Sequence, residues 1–246
     1  MYKINNWNWE DKKITESTND DAVALSSQYH QDEVFIISAE KQTKGRGRRG
    51  RSWIGLEGNL FFSQGLIFDE HNVGQLIVIA TYSLYQTIKE ILSAVHKVQI
   101  KWPNDILIDG SKVSGMLLEK GKNNYFIVGI GVNIKTSPKE LNMIYPTTSL
   151  AEKGITIDRL EFLRSYINNF DKCMDQWHKT GFVPLKQQWL KAVKGLETEI
   201  SVHTETENIA GIFKGIGDNG ELLLSQEGII KKIYAGDVFY KEERDK

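Results

Sequence analysis

The sequence predicts an α+β fold: a mixed or antiparallel sheet with packed helices, followed by a small C-terminal β-barrel. Three observations predict it. The segments that read as strands are not separated by regular helices, which argues against a doubly wound sheet. Val73, Leu76, Ile77, Ala80, Leu84, Ile88, Ile91, Leu92 and Val95 recur at steps of three or four and define one long amphipathic helix. The pattern then changes at Lys194-Gly195, after which short strands surround turns at Gly217-Asp218-Asn219-Gly220 and Gln226-Glu227-Gly228. The expected units are therefore residues 1–194 and residues 195–246.

The elements come in this order. Ile4 to Ile14 reads as a weak strand. Thr15 to Asp21 is dense in capping residues, so a helix starts near Thr18 or Asn19. Val34 to Ile37 is a buried strand, and Asn59 to Phe68 is another. After the long helix come Val98 to Trp102, a break at Pro103-Asn104-Asp105, and Ile106 to Ile108. Asp109-Gly110 is a hairpin turn. Lys112 to Glu119 returns, Lys122-Asn123-Asn124 turns again, and Tyr125 to Asn133 completes an antiparallel meander. Asp158 caps a helix carrying Leu160, Leu163, Ile167, Phe170, Met174 and Trp177 on one face, and a shorter helix spans Leu185 to Val193.

Composition narrows the function. The chain has 246 residues, a formal net charge of −1 and 40% hydrophobic residues, which excludes a disordered chain and a polycation for nucleic acid. Apolar runs such as Leu76 to Ala80 are far too short to span a membrane. The N-terminus lacks the apolar core of a signal peptide, and the single cysteine, Cys173, has no internal partner. These features predict a cytoplasmic protein.

Charge is distributed unevenly. Four of the seven arginines fall between Arg46 and Arg51, and Lys41 to Trp53 holds six cations and no acid. Gly45, Gly47 and Gly50 interleave them. Such a segment is a candidate anion-binding loop, expected to stay mobile until an anion arrives. Gly45 to Gly50 fits GxGxxG literally, but Arg51 to Gly58 is loop-like rather than helical, so a dinucleotide site is rejected. The five histidines are scattered without ligand spacing. In Lys101-Trp102-Pro103-Asn104-Asp105 a strand is stopped by proline. Asn104 and Asp105 there suit a Mg²⁺ ligand, a carboxylate receiving an amine, or a bulge that satisfies local backbone groups. Gly115 and Gly129-Ile130-Gly131-Val132-Asn133 offer bare backbone for close approach.

Taken in order, Glu16-Ser17-Thr18-Asn19, Gly45 to Trp53, Lys101 to Ile106, Lys112 to Glu119 and Gly129 to Asn133 resemble the biotin protein ligases. Met116 and Ser114 depart slightly from the family pattern. The resemblance implies a class II synthetase-like catalytic domain with an SH3-like C-terminal barrel, in the short form that lacks an N-terminal helix-turn-helix. It implies ATP-dependent formation of biotinyl-5′-AMP and transfer of biotin to a lysine of a biotin carboxyl carrier domain. A lipoate or octanoate ligase or transferase of the same fold is the alternative, and the arginine loop favours biotin.

By the same resemblance Lys112, Arg48 and Asp105 are the catalytic residues. Biotin is held by Ser17, Thr18, Asn19, Gln42, Arg46, Gly47, Arg48, Lys112 and Gly115. ATP and the adenylate are held by Arg46, Arg48, Arg51, Trp53, Lys101, Asn104, Lys112 and Asn133. Asp105 is the candidate Mg²⁺ ligand. No DNA or membrane partner is expected, and a homodimer is compatible with the family.

Overall fold

A computed structural model of the protein describes residues 2–30, 33–139 and 145–241. Its first eight strands are β1 (Tyr2–Ile4), β2 (Trp7–Thr15), β3 (Phe35–Gln42), β4 (Leu60–Ile67), β5 (Val98–Lys101), β6 (Asp105–Ile108), β7 (Ser111–Lys120) and β8 (Tyr125–Val132). They form one sheet in the order β1-β2-β3-β4-β8-β7-β6-β5, in which only the β2–β3 pair is parallel. The parallel pair needs a crossover, supplied by helix α1 (Thr18–Leu25). Where the sequence reads as one strand from Ile4 to Ile14, the chain instead folds back as a hairpin at Asn5-Asn6. Asn5 takes φ 51°, a left-handed conformation that asparagine tolerates better than most residues.

The period of two along each strand assigns the two faces. Ile36 of β3, Leu60, Phe62 and Leu66 of β4, and Phe126, Val128, Ile130 and Val132 of β8 enter the main core. That core is covered by α2 (Val73–Ile91), α3 (Arg159–Thr180) and α4 (Phe182–Ala192). Helix α2 turns Leu76, Ile79, Leu84 and Ile88 fully inward. Truncating one such leucine to alanine costs about 2–5 kcal/mol, more than an exposed ion pair contributes, so the apolar core holds the fold. Helix α2 ends at Ile91. Val95 lies beyond it and is 83% exposed, so the apolar periodicity outruns the helix.

The opposite face is smaller. Phe35 and Ile37 of β3 and Tyr125 and Ile127 of β8 pack there with Ala22 and Tyr29 in a second cluster under α1. Continuing along β8 on this face, the next two positions are Gly129 and Gly131. The sheet is therefore bare just beyond α1.

The C-terminal strands β9 (Glu199–His203), β10 (Asn208–Ile216), β11 (Leu222–Gln226), β12 (Ile229–Ile233) and β13 (Asp237–Tyr240) form an antiparallel sheet in the order β12-β11-β10-β9-β13. The turn between β10 and β11 docks on the start of α2. There Gly74 N donates to Asn219 Oδ1 at 2.9 Å, Gln75 Nε2 to Asp218 O at 2.8 Å, and Trp102 Nε1 to Gly220 O at 2.9 Å.

The turn that launches β7 is held by Asp109. Its carboxylate lies 2.8 Å from Lys153 Nζ and 2.8 Å from His96 Nδ1, and accepts from Lys97 N at 2.9 Å. The bond from Lys153 does most to lower its pKa to about 2. A carboxyl depressed on folding stabilises the protein above its unfolded pKa, and the effect is lost as pH falls through the folded value. Asp109→Asn should therefore lower the melting temperature at neutral pH. Thermal melts taken from pH 7 down toward pH 2 should show the two proteins converging.

Candidate active site

The bare patch of sheet beside α1 is the floor of a cavity of about 440 Å³. Two glycines make the floor possible. A Cβ on Gly129 would sit 1.9 Å from Asn19 Oδ1, and one on Gly131 would sit 2.4 Å from the Trp53 ring. No side chain fits at either position while Asn19 and Trp53 lie against the sheet.

At one end of the cavity the first turn of α1 supplies polar groups. Ser17 is the N-cap, its hydroxyl accepting from Asp20 N. Thr18 donates through both its backbone N and Oγ1 to Gln42 Oε1, at 2.8 and 2.9 Å, which leaves the Gln42 amide nitrogen for other partners. Asn19 Oδ1 accepts from Ser63 Oγ at 2.6 Å. Ser17, Thr18 and Asn19 are all buried, so these bonds fix what the cavity wall presents.

The other end gathers cations around one carboxylate. Lys112 Nζ lies 2.7 Å from Asp105 Oδ1, with the two side chains 23% and 11% exposed. Lys112 is also 5.4 Å from the Trp53 ring. Lys101, buried, stands over the Tyr145 ring with its Nζ 2.9 Å from the centroid. Asn104 ties the β5–β6 turn to β7 through Met116 O, and its Oδ1 accepts from Arg48 at 3.4 Å. Burial pushes the Arg48 guanidinium below its usual pKa, with Asp237 and Asp105 opposing that trend.

The arginine loop crosses between these ends. The sequence predicts a segment whose own charges repel one another and keep it mobile until an anion arrives. The structure instead supplies carboxylates from distant parts of the chain. Arg46 pairs with Asp20 at 2.7 Å and with Glu119 at 2.7 Å. Arg49 and Arg51 share Asp237 of β13, at 3.0 and 2.7 Å. Burial alone would raise the Asp237 pKa, but Arg51 and Arg49 outweigh it and hold the carboxyl below its ordinary range. Arg48, between the anchored arginines, also donates to Gly236 O at 3.3 Å.

Every candidate residue named from the sequence lines this one cavity: Ser17, Thr18, Asn19, Gln42, Arg46, Gly47, Arg48, Arg51, Trp53, Lys101, Asn104, Asp105, Lys112, Gly115 and Asn133. Asn133 does so with its amide already engaged, Nδ2 donating to Thr148 O at 3.1 Å. Tyr145 and Asp237 also line the cavity, and sequence reading missed both. The signal for Asp237 was the charge imbalance of the loop, which demands carboxylates from elsewhere.

As for metal, the cavity's acids are Asp105 and Asp237, each already paired with a cation. Among the described residues no group of three or more His, Cys, Asp or Glu could hold an ion. A single carboxylate such as Asp105 holds Mg²⁺ only together with a nucleotide's phosphates and water.

The fold and this cavity define a class. Residues 12–135 match the biotin/lipoate A/B protein ligase family, and residues 195–241 match the biotin protein ligase C terminal domain. The chain belongs to the biotin/lipoate A/B protein ligase family. It is 33% identical over 238 residues to a biotin--[acetyl-CoA-carboxylase] ligase of Paracoccus denitrificans, covering 92% of this chain and 98% of that one. It is 34% identical over 214 residues to the bifunctional ligase/repressor BirA of Bacillus subtilis, covering 82% of this chain and 65% of that one. Among solved structures, the biotin protein ligase from Aquifex aeolicus in complex with biotin and ATP superposes with a TM-score of 0.81 at 29% identity, covering 94% of this chain and 97% of that one. No helix among the described residues is long and apolar enough to cross a membrane.

Asp237 is the only carboxylate that the described ion pairs give to Arg49 and Arg51. Asp237→Ala should therefore release the middle of the loop while sparing the apolar core. Limited trypsin digestion should cut between Arg46 and Arg51 several-fold faster than in the wild type. The melting temperature should fall only slightly.

Proposed function

We propose that the chain is an ATP-dependent biotin protein ligase, with biotin at the α1 end of the cavity and ATP at the Lys101–Lys112 end. The observation that carries this reading is the gathering of Lys112, Arg48 and Lys101 beside the polar α1 wall in a single cavity. Two anions, a carboxylate and a triphosphate, repel each other unless cations lie between them. Those cations converge here. The match to the biotin protein ligase C terminal domain supports biotin over lipoate.

The chemistry is governed by charge. In the first half-reaction a biotin carboxylate oxygen attacks the α-phosphorus of ATP and pyrophosphate leaves, giving biotinyl-5′-AMP. Lys112 is positioned to neutralise both the carboxylate and the α-phosphate, with Asp105 holding its ammonium in place. Arg48, partly desolvated, stabilises charge building on the phosphate, and its low exposure strengthens that effect. Trp53 shields the product from water on the β7–β8 floor. Mg²⁺ enters with ATP, as part of the substrate.

In the second half-reaction a carrier lysine nitrogen attacks the anhydride carbonyl and AMP leaves. Asp105 can take the proton lost by that amine. A mixed anhydride reacts with water and any amine, so the arginine loop acts as a lid. We place the division between catalytic and C-terminal units at 194/195, and the protein in the cytoplasm, where ATP and carrier are at hand. The C-terminal unit is not expected to read DNA. Its Lys214 and Lys232 are paired with Glu197 and Glu221 rather than presented as a phosphate-binding face.

Two outcomes test this reading. Incubation with biotin, Mg-ATP and a biotin carrier domain should add one biotin to the carrier, read by mass spectrometry. Attachment of lipoate or octanoate in its place would overturn the assignment. The second outcome concerns Lys112. Lys112→Ala should slow adenylate formation by about a hundredfold, the usual scale for one preorganised charge donor. The sequence alone suggests that this change hardly affects folding. The structure corrects that view, because Asp105 is left largely buried without its cation, at a cost approaching the ~3–5 kcal/mol of a broken buried pair. Pyrophosphate release should therefore be normalised to the folded fraction.

A further inference from the structure

Glu119 stands on β7 just beyond the cavity, two residues past the lining residue Leu117 on the same side of the strand, and is not one of the candidate site residues. Its carboxylate binds two of them at once. Both oxygens accept from Arg46 Nη2, at 3.0 and 2.7 Å, and Oε2 accepts from Asn19 Nδ2 at 2.6 Å. Arg46 opens the arginine loop and Asn19 sits in the first turn of α1. Glu119 is the one described side chain bonded to both.

The consequence for Asn19 is definite. An amide can present either end, but an ionised carboxylate only accepts. Turning Asn19 over would bring its carbonyl oxygen against Glu119 at 2.6 Å, oxygen facing oxygen. Glu119, helped by the longer bond from Asn19 Nδ2 to Leu117 O at 3.4 Å, thereby holds the Asn19 NH₂ toward β7 and the carbonyl toward Ser63 and the backbone at Gly129, where Asn19 Oδ1 approaches closest. Ser63 takes one lone pair of that oxygen, so the second is the acceptor that Asn19, a cavity-lining residue, can offer a ligand. A ureido ring carries N–H groups that need one.

The pairs of Arg46 with Glu119 and Asp20 fix the start of the loop on β7 and α1, over the same end of the cavity. The resemblance gives Arg46 to ATP as well as to biotin, but here its guanidinium is committed to Asp20 and Glu119 at the α1 end, so a group that orients the acceptor and seats the loop there acts first on the acyl substrate. We propose that Glu119 is a positioning residue for the acyl substrate: it selects the Asn19 amide orientation and seats the loop at Arg46. This rests on the biotin reading of the cavity.

The test uses full-length protein and two variants. Glu119→Gln keeps the size of the side chain, removes the charge that holds Arg46, and can donate, so it permits the Asn19 amide to turn over. Glu119→Ala removes the group altogether. Initial rates should show the KM for biotin rising by about tenfold or more, the scale of one charged hydrogen bond. The KM for ATP and the kcat at saturating biotin should stay within about threefold of wild type. Calorimetry with biotin alone should show the same loss of affinity. Equal losses for biotin and ATP, as a general structural role would give, overturn the proposal, and so does an unchanged KM for biotin. If Glu119→Ala does not fold, the isosteric Glu119→Gln decides alone. Failure of the wild-type protein to bind biotin overturns the biotin reading itself, and Glu119's part in it.

Discussion

Four guanidinium groups within six residues are charged at every pH the protein meets, so the loop that carries them must find carboxylates. No acid lies between Lys41 and Trp53, and the partners come from three separate places: Asp20 on α1, Glu119 on β7 and Asp237 on β13. The loop is thus pinned to both halves of the chain. Arg46 belongs to the catalytic sheet, while Arg49 and Arg51 belong to the C-terminal sheet. Arg48, between the anchors, faces the cavity. A loop that could have been a solvated basic turn becomes a strap across two sheets because its carboxylate partners lie on both sides.

The sheet makes room beneath that strap. One face carries three helices and a continuous apolar core. The other carries only α1 and a small cluster, and then the side chains stop at Gly129 and Gly131. The same alternation that buries Tyr125 and Ile127 leaves the two glycines open on the cavity side. Large hydrophobic burial on one face allows the other to remain underfilled without loss of the fold. The cavity can then be lined by polar and charged groups whose positions depend on hydrogen bonds rather than on packing.

Much of this is legible in the sequence. Helix α2 is visible in its apolar spacing, the β6–β7 turn in Asp109-Gly110, and the start of α1 in its capping residues, because each is decided by neighbours in the chain. All the named site residues line one cavity, and they are named from the resemblance to the biotin protein ligases rather than from local pattern alone. The missed features are non-local. Glu119 and Asp237 look like ordinary strand-end acids until the fold brings Arg46 and Arg51 to them. The bond from Asn133 to Thr148 is hidden in the same way, because only the fold brings the two together. The hairpin at Asn5-Asn6 is hidden because both of its arms read as one extended run. Val95 falls outside α2 although its spacing fits, because apolar spacing alone does not say where a helix stops.

The distance along the chain between the loop and its C-terminal anchor has a temporal meaning. Arg49 and Arg51 are separated from Asp237 by 188 and 186 positions. At ordinary translation speeds of about 5–20 residues per second, the loop waits roughly ten to forty seconds after its own synthesis for that carboxylate. Over that interval most of the eight-stranded sheet is already present, and Asp20 and Glu119 can already hold Arg46. The nascent chain therefore passes through a stage in which the strap is fastened at one end only. Making β13 fastens the other end, so the site closes only once the C-terminal sheet has been made.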